Sequence, residues 1–172
     1  VSGGPDSLAL AFLSKIYSIK KRVDVKYLII DHKMRPESTS EAKKVQQLLK
    51  KKLIKSKILS WKGKKPASNI QSLARKKRYE LLCANSKNLK SNNILLGHHE
   101  DDLIENFFIR LIRGSGLRGL VSLSGKKNNG EINILRPLIN EKKESLVYIS
   151  NEVFNYYVKD PSNENEKFLR VG

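Results

Sequence analysis

An α/β domain, built on a mostly parallel sheet with helices on both faces, is the fold class that this sequence predicts. Three observations predict it. Short apolar runs rich in β-branched residues alternate with stretches of helical period. The polar clusters Ser2–Ser7, Asp31-His32 and His98–Asp102 fall where those runs end, which is where such sheets bind their ligands. A length of 172 residues with 39% hydrophobic side chains supports one domain with its own core.

Each element follows from local pattern. Leu8 to Ile19 places Leu8, Leu10, Ala11, Phe12, Leu13 and Ile16 at helical spacing directly after a glycine turn. Val23 to Ile30 reads as a buried strand with Asp31-His32 at its carboxyl end. Glu37 to Leu53 returns to helical period through Ala42, Val45, Leu48 and Leu49, and Ser56 to Trp61 is a second strand. Asn69 to Asn85 is a helix with Ile70, Leu73, Ala74, Leu81 and Leu82 on its apolar stripe. Ile94 to Leu96 is a short strand, and Asp101 to Ile112 is helical until Arg113-Gly114-Ser115-Gly116 breaks it. Lys126 to Gly130 reads as a flexible loop, Ile132 to Leu135 as a small strand closed by Pro137, and Lys143 to Tyr157 as a last helix.

Composition narrows the function classes. Lys and Arg number 34 against 17 acidic residues, a net charge of +17, which points to a polyanionic partner such as nucleic acid or nucleotide. Lysine-rich usage of this kind also follows from an AT-rich genome, and charge alone does not separate the two. Ten lysines with no acidic residue between Lys43 and Lys65 could line an RNA backbone or form a solvated face. The single Cys83 excludes a disulfide framework and multi-cysteine metal or iron–sulfur sites, and fits a reducing cytoplasm. No run approaches the roughly 20 apolar residues that cross a bilayer, so no membrane partner is expected. Val1 and Gly172 sit at abrupt ends, so the chain reads as a fragment cut at both.

Five motifs carry chemistry. In Ser2-Gly3-Gly4-Pro5-Asp6-Ser7 the adjacent glycines free the backbone to close amide hydrogens around an anion, and the following helix points its positive end at the same place. No lysine follows the glycines, so this is not the phosphate loop that ends in Lys-Ser/Thr. Asp31 either caps its turn or, beside a nucleotide, lends a carboxylate to Mg²⁺. Arg75 and Arg78, three apart in Ala74–Tyr79, share a helix face and suit bidentate phosphate contacts, though a solvated charge run is the commoner cause of such a string. In His98–Glu105, Asp102 and Glu105 share one helical face, which suits magnesium and base chemistry; the histidine spacing suits zinc poorly. Arg113–Leu120 is either a helix C-cap at Gly114 or a glycine loop that admits a substrate.

The Ser2–Ser7 string resembles the PP-loop of the ATP pyrophosphatase superfamily. In order, Ser2–Ser7, Asp31-His32 with Arg35 and Ser38, Ala74–Tyr79, His98–Glu105, Arg113–Leu120, Arg136-Pro137-Leu138 and Asp160–Asn163 are similar to the motifs of the tRNA(Ile)-lysidine synthase family across nearly all of the chain. Asn106 stands where that family commonly has threonine, and Arg170 only partly matches an arginine-rich string. The resemblance implies a Rossmann-like PP-loop fold (adenine nucleotide alpha hydrolase-like), as one catalytic domain over 1–172. Within it, 1–125 would be the nucleotide-binding core and 126–172 a hairpin and C-terminal helical part, with C-terminal tRNA-recognition domains absent. It implies ATP-dependent ligation of L-lysine to the wobble cytidine of tRNA(Ile) with a CAU anticodon, in the cytoplasm, and leaves room for a homodimer. On that resemblance Ser2, Gly3, Gly4, Pro5, Asp6 and Ser7 bind ATP, and Asp31 and Asp102 hold Mg²⁺ or the lysine ammonium. Arg75 and Arg113 offset phosphate charge, and His98 or Glu105 orients or deprotonates the nucleophile. A cytidine thiolase of the same superfamily, which depends on paired cysteines, and a non-catalytic RNA-binding module are the rival readings.

Overall fold

A computed structural model describes residues 1–62, 70–114, 126–129 and 131–156. Helix α1 (Pro5–Lys21) leads into strand β1 (Tyr27–Asp31), α2 (Ser38–Lys51), β2 (Ser56–Ser60), α3 (Ile70–Asn88), β3 (Asn93–Leu95), α4 (Glu100–Ile112), β4 (Lys126–Asn129), β5 (Ile132–Leu135) and α5 (Lys143–Phe154). The expected α/β alternation is therefore present.

Strands β1 and β2 pair in parallel, Tyr27 against Ser56 through Asp31 against Ser60. A second sheet runs in the order β3-β5-β4, with β3 parallel and β4 antiparallel to β5. The start of the chain lies beside the first sheet, since the Val1 nitrogen donates to the Leu28 carbonyl. At its other flank, a Cβ built on Gly97, just past β3, would meet the Asp6 carbonyl oxygen at 3.1 Å. The Ser2–Ser7 turn thus stands between the carboxyl ends of β1 and β3, and α3 touches both strands. A crevice beyond strand ends, where neighbouring connections diverge, is the general ligand position of such folds.

Helix α1 is buried on two sides. Leu8 and Ala11 join Ile29 of β1, Ala42, Val45 and Leu49 of α2, Ile54 and Phe154 in one core. Ala9 and Leu10 pack instead against Leu138 and Leu146, with Leu13 and Ile149 alongside. Both faces are apolar at a period near 3.6, so the helix that carries the turn is clamped from opposite directions. Pro5 opens it at a position whose N–H needs no partner, and Arg22 ends it in the left-handed conformation.

Several boundaries and one assignment differ from expectation: α1 already starts at Pro5, and α3 runs on to Asn88. Strand β1 starts at Tyr27 rather than Val23, because the α1 cap carries the chain through Val23, whose N–H still bonds the Ser18 carbonyl. Helix α5 ends at Phe154, where Asn155 takes a left-handed cap; Tyr157 lies outside the described residues. The stretch from Lys126, expected to be a flexible loop, is strand β4, with Lys126 opposite Leu135 and Asn129 opposite Ile132. Lysine and asparagine there obscure a strand because β4 is an edge, and edge strands carry charge that discourages further pairing. No described helix is long and apolar enough to cross a membrane.

Candidate functional site

The Ser7 hydroxyl organises the glycine turn. It accepts the N–H groups of Ser2 and Gly3, each at 3.1 Å, accepts the Ser2 hydroxyl at 3.0 Å, and donates to the Gly4 carbonyl at 3.0 Å. Gly3 makes this closure with φ of 92°, a conformation that a side chain would strain. Leu8 N–H then bonds the Gly4 carbonyl as the first turn of α1. Backbone donors converge on one hydroxyl oxygen beside a helix N-terminus, which is the arrangement that receives a phosphate oxygen elsewhere.

His99, itself 5% exposed, joins this turn to α4. Its Nε2 lies 3.7 Å from Asp6 Oδ2 and 3.5 Å from Asp102 Oδ2, while its backbone N–H donates to Asp102 Oδ2 at 3.0 Å. Asp6 Oδ1 and His99 Nδ1 are buried with no hydrogen-bond partner. Burial, reinforced by the Asp102 and Asp101 carboxylates and opposed by His99 and Lys143, holds the Asp6 carboxyl above its ordinary range. The sequence gives His99 no duty apart from its cluster; the fold places it between the two carboxylates.

The second histidine of the pair, His98, has different neighbours. Arg136, 4% exposed and just past β5, donates from Nε to His98 Nδ1 at 3.0 Å. Burial pushes the His98 imidazole down to about 4; Asp102 pulls the other way, and Arg136, Arg75 and Arg78 add to the depression. Arg75 and Arg78 both lie over the Tyr79 ring, at 5.7 and 5.9 Å from its centroid. Helix α3 thus brings its two arginines toward the histidine, as their shared face predicts. Arg78 also faces His32, whose imidazole burial and that arginine push below its usual value against the pull of Asp31.

Asp31 and Arg113, both expected in the site, make other contacts in this structure. Asp31 is 2% exposed, and both of its oxygens are engaged: Oδ1 by Lys33 N–H at 3.0 Å and Ser38 Oγ at 2.7 Å, Oδ2 by Thr39 Oγ1 at 2.9 Å and Ser60 Oγ at 3.4 Å. It clasps the ends of β1 and β2 to the start of α2, and offers a metal no open oxygen. Burial raises its carboxyl, but the bonds from Ser38, Thr39 and Lys33 outweigh that, and the net position is below the usual range. Arg113 is the C-cap of α4, followed by Gly114 at φ of 66°. At 1.5 Å per residue it stands about 16 Å along the helix from Asp102, so it does not join the His98–Asp102 cluster. Glu105 keeps its place one turn beyond Asp102 on the same face. Ser115–Leu120, Asp160–Asn163 and Arg170 lie outside the described residues.

The donor set bears on Mg²⁺, which takes one or two carboxylates and leaves its other positions to phosphate and water. Asp6 and Asp102 fit it: one buried oxygen lacks a partner, and their mutual repulsion would be relieved by a hard cation. Among the described residues no group of three or more His, Cys, Asp or Glu side chains is arranged to hold a metal ion, so an all-protein metal cage is not built there.

A glycine turn closed on Ser7, at a helix N-terminus between two strand ends, defines a nucleotide-type phosphate loop, and the PP-loop domain family matches residues 1–171. The chain belongs to that family. Among curated proteins it is similar to tRNA(Ile)-lysidine synthase of Orientia tsutsugamushi (strain Boryong), 42% identical over 171 residues, covering 99% of this chain and 38% of that protein. The enzymes of the same name from Rhodopseudomonas palustris and a Wolbachia of Brugia malayi are 34% and 37% identical, with 99% of this chain covered and 50% and 40% of theirs. The chain thus spans half or less of the length of these relatives. In fold it is similar to the U34-tRNA thiolase NcsA from Methanococcus maripaludis (TM-score 0.74, 21% identity, 94% of this chain and 58% of that one).

Proposed function

We propose that the protein containing this domain activates the wobble cytidine of tRNA(Ile) with ATP and joins it to L-lysine. The observation that supports this reading most is the Ser7-centred turn with Asp6 and Asp102 against His99, in a chain similar throughout to lysidine synthases. In the first step the cytidine O2 attacks the α-phosphorus and pyrophosphate leaves. In the second the lysine ε-amine, having lost its proton, attacks C2, and the oxygen departs with AMP.

Each residue has a part in that scheme. The Ser2 and Gly3 amides and the Ser7 hydroxyl bind the phosphates, aided by the α1 N-terminus. Asp6 and Asp102 would hold Mg²⁺, which when bound neutralises phosphate charge. Glu105, beside Asp102, attracts the lysine ammonium and orients the amine once neutral. Arg75 and Arg78 stabilise charge that grows on the phosphates. Asp31 keeps the floor of the site in shape through its clasp. A thiolase reading is disfavoured because these 172 residues contain one cysteine, Cys83, half-buried on α3.

The test is product formation by the full-length protein. AMP and pyrophosphate should appear with ATP, tRNA(Ile) and L-lysine together, and Asp102→Asn should lower turnover about 10²-fold or more. Mg²⁺ should be required, and a zinc-selective chelator should change nothing.

A further inference from the structure

We propose that Arg136 is a positioning residue that fixes His98 as the neutral imidazole with its proton on Nε2, making His98 a hydrogen-bond donor to a phosphate oxygen and not a base. The inference rests on the nucleotide reading given above and assigns a duty within it.

The pairing register sets the contact. Leu95 is opposite Leu135 in the parallel β3–β5 pair, and Leu96 N–H continues the ladder to the Leu135 carbonyl at 2.9 Å. Arg136 therefore emerges beside the residues that follow β3. A turn from the Arg136 carbonyl to Ile139 N–H holds it there. Its guanidinium never loses a proton, so Nε can only donate, and the atom 3.0 Å away must accept. A neutral imidazole has one acceptor nitrogen and one donor nitrogen; with Nδ1 accepting, the proton sits on Nε2. Protonating Nδ1 would set two donors face to face beside a buried cation.

Burial weighs most against a charged ring, and the nearby charges divide. Asp102 of α4 favours the charged form, while Arg136 from the β5 end and Arg75 and Arg78 from α3 act with burial against it. A base must offer a lone pair, but the one on Nδ1 is taken and Nε2 carries hydrogen. What remains is a donor in a positive field. Gly97 packs on the Asp6 carbonyl, so this donor stands next to the phosphate turn and matches an anionic phosphate oxygen.

Nitrogen-15 NMR of the three histidines in the full-length protein tests the tautomer without any turnover, with His98→Gln providing the assignment. At about pH 7 the His98 signals should show a protonated Nε2 and a bare Nδ1. Arg136→Met, or Arg136→Gln if the first does not fold, should mix the tautomers. A protonated Nδ1 in the unsubstituted protein, or an unchanged tautomer in a folded Arg136 variant, would overturn the proposal. Kinetics supply a second reading. His98→Gln, whose amide N–H replaces Nε2–H, should stay within about tenfold of the parent kcat, while His98→Ala should fall about 10²-fold. Equal losses in the two variants would also overturn it. The correct tautomer in a protein that makes no AMP would instead count against the ligase reading alone.

Discussion

Asp31 shows how a residue's role is decided by groups that its own neighbourhood in sequence does not reveal. Read locally, it is either a turn cap or a Mg²⁺ ligand. In the fold, Ser38, Thr39 and Ser60 arrive from α2 and β2 and, with Lys33 N–H, saturate both oxygens. Asp31→Asn should therefore cost about 2–3 kcal/mol of stability, measured by denaturant unfolding, because several charge-assisted bonds weaken together. The folded carboxyl titrates below the unfolded one, so its contribution is complete above the unfolded value of about 3.9 and is lost as pH falls through the lower folded value. The gap between Asp31→Asn and the parent should close in that acid window; a gap constant down to strong acid would contradict the clasp. The same limit hid the Arg136–His98 bond, whose partners are 38 residues apart. Arg136 was visible only as part of a motif, with no duty attached. Ser7 was legible, since its glycine context names it. Asp6→Ala and Ser7→Ala should each abolish AMP formation in the full-length protein with the fold retained by circular dichroism. Near-normal turnover in both would remove the phosphate-loop assignment.

Helices with long apolar stripes were legible in outline because α1 and α2 bury residues at helical spacing and α3 carries an apolar stripe in its sequence. Strand β4 was not, since a polar edge strand shares its composition with loops. The end of α4 was legible from its glycine: Arg113 caps the helix and Gly114 follows at φ of 66°. The junction between β3 and the phosphate turn could not be read either, because Gly97 looks like any strand-end glycine. Its lack of a side chain lets the chain pass the Asp6 carbonyl, with 3.1 Å left for any added Cβ. Gly97→Ala should push the turn out of shape and weaken ATP binding about tenfold, the equivalent of ~1.4 kcal/mol, while leaving thermal stability changed far less than nucleotide affinity. Unaltered affinity, measured by calorimetry, would show that the turn tolerates the displacement.

Across the whole molecule the charge of +17 is unevenly distributed, and the exposed Lys50, Lys51 and Lys52 close α2. Basic side chains at a helix C-terminus favour its dipole, which accounts for part of their presence. If they also touch RNA phosphates, replacing all three with Gln should flatten the slope of log affinity against log salt by about 2; an unchanged slope assigns them to the dipole and solvent. Fold class and the phosphate turn were legible from alternation and motif, whereas the partners that tune each site residue come from distant elements. The central claim concerns chemistry at that turn, and one measurement reaches it most directly. Full-length protein, ATP and tRNA(Ile) bearing a CAU anticodon are incubated with and without L-lysine, and AMP and the mass of the wobble nucleoside are followed together. One AMP should form for each lysine joined to cytidine, and the modified nucleoside should be absent when lysine is omitted. Sulfur in place of lysine at that nucleoside, or tRNA binding with no AMP released, would contradict the account.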